Sequence, residues 1–166
     1  MPVSIHPAGI PPAARRLPSS VSPFPGDRIS AGDVEVTIHH LGNVQFEATA
    51  RGHRVVCDQP PDIGGADSGM TPPEFLLVSL GTCAGYYAAE YLKARSIPTT
   101  GLEIKVSAEK AMQPARLDKF RIEVNMPGLE PRHQEGLSRA VHKCLVHNTL
   151  TGTPTIETVV RSLAAV

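Results

Sequence analysis

From Val34 onward, apolar and polar positions fall into two distinct rhythms. Val34, Val36 and Ile38 alternate with Glu35 and Thr37, the period-two pattern of a strand with one buried face. Leu41-Gly42-Asn43 reads as a turn, after which Val44, Phe46 and Ala48 alternate with Gln45, Glu47 and Thr49. A second tight turn at Arg51-Gly52-His53 leads back into Arg54-Val55-Val56-Cys57, so this stretch predicts a three-stranded antiparallel meander. The period then changes. Residues 58–71 form a loop rich in Asp, Gly and Pro. Thr71-Pro72-Pro73-Glu74 has the form of a capping box, with Thr71 as N-cap and Glu74 three positions on. Proline suits the first turn of a helix, and the helix is expected to run to about Arg95. Leu76, Leu80, Cys83 and Tyr87 fall at i, i+4, i+7 and i+11 and predict its buried face. Gly81 and Gly85 bracket Cys83 and would let another backbone approach closely.

Ile97-Pro98-Thr99-Thr100 ends that helix, and alternation returns at Leu102, Ile104 and Val106 and again at Phe120, Ile122 and Val124. Pro127-Gly128 is a turn. Residues 131–147 predict a second amphipathic helix, and Thr155 to Val160 a final strand. The expected order is βββ-α-ββ-α-β, an α+β fold with two central helices and antiparallel sheets. Residues 1–32 carry seven prolines and no steady period, so an extended or disordered tail is expected there, with the domain over residues 33–166.

Composition narrows the function. The chain has 166 residues, is 41% hydrophobic and has zero formal net charge, which suits one domain with a real core and offers no basic surplus for nucleic acid or an anionic membrane. No apolar stretch is long enough to span a bilayer, and the proline-broken N-terminus lacks the apolar core of a signal peptide; a cytoplasmic protein is expected. Three cysteines do not make a disulfide framework.

Two of those cysteines carry the chemical question. Cys83 lies in the apolar run Phe75-Leu76-Leu77-Val78-Ser79-Leu80-Gly81-Thr82-Cys83, and Cys144 in the second helical pattern. Two thiols on separate buried elements can be core filler, a metal pair or a redox pair. His142, Cys144 and His147 suggest a metal at first sight. His142 is expected to point away from the other two, however, and zinc needs three or four converging ligands, so no metal site is expected. Cys57 ends a strand beside Asp58, and its expected role is structural.

The Gly52-His53 turn, the Asp58 loop, Gly64-Gly65 with Gly69, the run Pro72-Pro73-Glu74 through Cys83, and Cys144-Leu145-Val146-His147-Asn148-Thr149-Leu150 together resemble the OsmC/Ohr family of osmotically inducible and organic hydroperoxide resistance proteins. The resemblance spans residues 34–161. It implies an intertwined homodimer and a thiol peroxidase for organic hydroperoxides. Cys83 would be peroxidatic and Cys144 resolving, and an external dithiol such as a lipoyl group would serve as reductant, with no bound cofactor. An ordinary thiol is only a few per cent ionised at neutral pH, so a peroxidatic cysteine needs a cation. In the family an arginine on the first hairpin supplies it, held by a glutamate that Glu74 matches. Here the turn His40-Leu41-Gly42-Asn43 has no arginine. Arg51, with Arg54, lies on the next turn and stands in as the candidate, while His39, His40 and His53 are weaker ones. Phe75, Leu76, Leu80 and Tyr87 are expected to line an apolar substrate pocket. The missing arginine favours a rival reading, a non-catalytic module on the same fold that holds an apolar small molecule at the dimer interface.

Overall fold

The computed structural model describes residues 34–162, so the proline-rich tail lies outside the described residues. Three strands, β1 (Thr37–Gly42), β2 (Gln45–Ala50) and β3 (His53–Cys57), form an antiparallel meander in the order β1-β2-β3. Register follows the turns, with Ile38 opposite Ala48 and Phe46 opposite Cys57. The expected half-burial fails in β1, where all six residues are exposed; among the described residues β2 is its main neighbour, and no helix or second sheet covers its face.

The loop from Asp58 to Thr71 is built around one carboxylate. Asp58 is buried and accepts hydrogen bonds from the backbone N–H groups of Gln59, Ala66 and Ser68 and from the Ser68 hydroxyl at 2.6 Å. Those bonds, led by the Ser68 hydroxyl, hold its pKa well below the ordinary carboxylate range. Two glycines of this loop are steric necessities: a Cβ on Gly65 would strike the Gln59 carbonyl, and one on Gly69 the Val56 carbonyl.

Helix α1 (Pro72–Lys93) starts where the capping box places it. The Glu74 carboxylate accepts from the Thr71 N–H at 2.7 Å and from the Thr71 hydroxyl at 2.8 Å, and these bonds lower its pKa. The buried stripe is Leu80, Ala84, Ala88 and Leu92, spaced by four, rather than the Leu76-Leu80-Cys83-Tyr87 line. Glycine decides the difference. The Gly81–Gly85 side of α1 faces β4, where a Cβ would lie 3.0 Å from Val106 Cγ2 and 3.3 Å from Ile104 Cγ1. Side chains of β4, rather than another backbone, fill the space those glycines leave.

Strands β4 (Glu103–Met112) and β5 (Ala115–Asn125) make a long antiparallel hairpin against α1. Ala84, Ala88 and Leu92 meet Leu137 and Val141 of α2 (Pro131–Val141) to form the core, with Ile104, Ile122 and Val124 packed around it. The second amphipathic helix does not run unbroken to residue 147. It ends at Val141, and a short helix α3 (Leu145–Thr151) follows a break. Residues 153–162 hold no regular secondary structure, so the strand expected over Thr155–Val160 is absent; a strand needs an edge to pair with, and Ile156, Val159 and Val160 stand exposed.

Candidate thiol site

The break between α2 and α3 positions the site. Cys144 occupies it as N-cap of α3, with φ −57° and ψ 127°, and the His147 N–H donates to its Sγ at 3.4 Å. Its own N–H bonds the Val141 carbonyl at 3.1 Å, which ties the residue back to the end of α2. Cys144 is 0% exposed. Across from it, Cys83 projects from the middle of α1 and is half-buried. The two thiols are close enough to influence each other's ionisation, and both are free. Burial pushes the Cys144 thiol pKa up, and the hydrogen bond and charge of Cys83 act in the same direction; the His147 N–H opposes them.

A cavity of about 530 Å³ opens beside the pair. Its apolar wall comes from Leu80, Phe120, Ile122, Val124, Leu137 and Val141, and its polar edge includes Ser138, His142 and His147. Leu80 lies one turn before Cys83, and Val141 and His147 are both hydrogen-bonded to Cys144. Contrary to the expectation that His142 points away, the break swings it round until its ring sits 5.2 Å from that of His147. Among the described residues no group of three metal-ligating side chains converges.

Of the expected pocket residues, Leu80 alone lines this cavity. Phe75 faces the meander instead, and with Pro72, Ile38, Phe46, Val55 and Cys57 it forms a strongly apolar patch. Tyr87 lines a groove on the α1–α2 seam, and Leu76 is half-buried in α1. Glu74 precedes Cys83 by nine residues, about 13 Å along the helix axis, too far for direct contact. Arg51 stands exposed in the β2–β3 turn with φ 49°. That turn closes the Ala50–His53 end of the hairpin, whereas the Phe46–Cys57 end lies against Pro72 and Phe75. Within one chain the structure does not bring Arg51 to the thiols. Cys57 lies half-buried at the patch, its thiol pKa raised by burial and by the Asp58 charge. Sequence reasoning missed Ser138, His142 and His147 as cavity residues. A signal existed, since Leu137 and Val141 fall at i and i+4 on α2 and carry Ser138 and His142 beside them.

A central helix lying on an antiparallel hairpin, with a free thiol on it near a second free thiol at a helix junction, defines an α+β protein with two neighbouring cysteines. The chain belongs to the OsmC-like protein family, whose model matches residues 65–159. Among solved structures it is similar to an OsmC-like protein from Mycoplasma pneumoniae (21% identity, 74% of this chain and 89% of that one, TM-score 0.62). A putative osmotic stress induced and detoxification response protein from Psychrobacter arcticus is similar at 20% identity, 71% and 88% coverage and TM-score 0.62. An organic hydroperoxide resistance protein OsmC from Legionella pneumophila matches at 17% identity, 75% and 93% coverage and TM-score 0.54. At these identities the likeness is one of fold. No curated protein sequence matches. No helix among the described residues is long and apolar enough to cross a membrane.

Proposed function

We propose that this protein is a thiol-dependent peroxidase that reduces organic hydroperoxides to alcohols, working as a homodimer with an external dithiol as reductant. The observation that carries the reading is the nearness of a half-buried Cys83 to a fully buried Cys144 beside a cavity with an apolar wall. The Cys83 thiolate attacks one peroxide oxygen and the O–O bond breaks. The other oxygen leaves as alcohol after taking a proton, and Cys83 becomes a sulfenic acid. The Cys144 thiol then attacks that sulfur, forming the disulfide and releasing water. Exposure sets this order, because a peroxide arriving from solvent meets Cys83 first.

A second copy completes the site on this reading. It covers the apolar face of the meander and brings a cation, Arg51 of its β2–β3 turn, toward Cys83. Glu74 holds that arginine, since both of its Thr71 bonds go to Oε2 and leave Oε1 for a further donor. The distance of Arg51 from the thiols within one chain favours the rival reading, a binding module whose cavity holds an apolar ligand.

The test is a mass map of the reduced protein after stoichiometric cumene hydroperoxide, with hydrogen peroxide in parallel. A Cys83–Cys144 disulfide within seconds, faster with the organic peroxide and lost in Cys83→Ser, is the expected result. Both thiols still free after minutes would replace the peroxidase by the binding module.

A further inference from the structure

The thiol pair lies near two openings that differ in charge: no Asp, Glu, Lys or Arg lines the first, and four such residues line the second. Residues before Cys83 on α1 reach the apolar cavity through Leu80; one turn after it, Tyr87 lines a groove of about 490 Å³ between α1 and α2. Lys143, the neighbour of Cys144 in the chain, lines that groove too. Three cations edge it, Arg95, Arg139 and Lys143, against one carboxylate, Glu90. Glu90 is paired with Lys93 at 3.2 Å, and Arg139 pairs with Glu135. Arg95 is held in place, its guanidinium 3.7 Å from the Tyr91 ring centroid and bonded to the Tyr91 carbonyl at 3.2 Å. Lys143 has no ion-pair partner among the described residues. The groove therefore presents a net positive charge, one residue from Cys144 and one helical turn from Cys83, on a chain whose net charge is zero.

We infer that this groove receives the reductant, and that the reductant carries an anionic group which Lys143, Arg139 and Arg95 recognise. The inference rests on the disulfide chemistry proposed above and divides its traffic: hydroperoxide enters on the apolar side, electrons on the basic side. A donor thiolate attacks Cys83 Sγ, the more exposed sulfur, and breaks the Cys83–Cys144 bond. Cys144 leaves as a thiolate, accepts the His147 N–H bond and takes up a proton. The donor's second thiol then attacks the donor sulfur of the mixed disulfide. Cys83 is released as a thiol, and the donor leaves as a cyclic disulfide, oxidised by two electrons.

The experiment uses the full chain oxidised with diamide, so that the disulfide forms whether or not the protein reacts with peroxide. Its reduction is followed with dihydrolipoate and with dihydrolipoamide, the same dithiol ending in a carboxylate or in a neutral amide. At low ionic strength dihydrolipoate is expected to react roughly 5- to 10-fold faster. The advantage should shrink as salt is raised and vanish in Arg139→Gln/Lys143→Gln. Equal rates for the two donors at low salt overturn the inference, as does an advantage that persists in the double variant. The salt series needs no variant and decides the matter if the double variant misfolds. Diamide forming the disulfide where cumene hydroperoxide does not would sink the peroxidase reading alone and leave this measurement standing.

Discussion

The two sheets of this protein carry the same alternation and meet different fates. On β4 and β5 the apolar face lies against α1, where Gly81 and Gly85 make room for Val106 and Ile104. On β1, β2 and β3 the apolar face holds Ile38, Phe46, Ala48 and Val55, and among the described residues Pro72 and Phe75 at the start of α1 meet it. Phe46 is 38% exposed and Val55 41%. Alternation along a strand thus states which face is apolar and leaves open which chain covers it. On the function proposed above, a second copy covers this patch, and that assignment can be tested.

That contrast can be broken from the covered side first. Gly85→Leu forces a side chain into the space of Ile104 Cγ1 and should cost about 1–3 kcal/mol, read as a lower urea midpoint with unchanged slope. A variant as stable as the parent would mean that the hairpin can step back from α1. On the open side, Phe46→Asp should cost a single chain about 1 kcal/mol. Its effect should appear in sedimentation equilibrium, as loss of a dimer with helical content retained. A wild-type chain that stays monomeric at high concentration would remove the second copy from the account. The loop joining the regions gives the third measurement. Because Asp58 is held ionised in the folded state, its contribution to stability is present above its unfolded pKa, near 4, and is lost as pH falls through the still lower folded value. Asp58→Asn should lower the urea midpoint at neutral pH, with the gap to the parent narrowing steadily below about pH 4. A gap independent of pH would mean that the loop depends on the shape of Asp58 rather than its charge.

Much of this fold was legible in the chain. Both sheets follow the alternation, the meander also follows its Gly-containing turns, and α1 begins just after Thr71 because the capping box is a local device that needs no tertiary information. The buried stripe was misplaced because periodicity ranks positions by side chain, and glycine has none to rank, although Gly81 and Gly85 make a close contact. The break before Cys144 left no mark, since neither Gly nor Pro stands at residues 142–144 and the cap is a thiol. The two cysteines were visible as a pair; their nearness and the turn of His142 toward His147 follow from that break. Nothing in the spacing of Arg95, Arg139 and Lys143 suggested a common groove, because α1 and α2 bring them together across more than forty residues.

The two glycine seats also set a scale. Gly81 and Gly85 lie four residues apart on α1, about 6 Å of axial rise, and Val106 and Ile104 lie two residues apart on β4, about 6.6 Å. The two repeats are nearly commensurate, so helix and strand mesh like a ratchet with two teeth engaged. A shift of α1 along β4 by less than a full tooth drives a methyl group into backbone. Cys83 lies midway between the teeth, so its sulfur is indexed along that axis by contacts that involve no charged or reactive group.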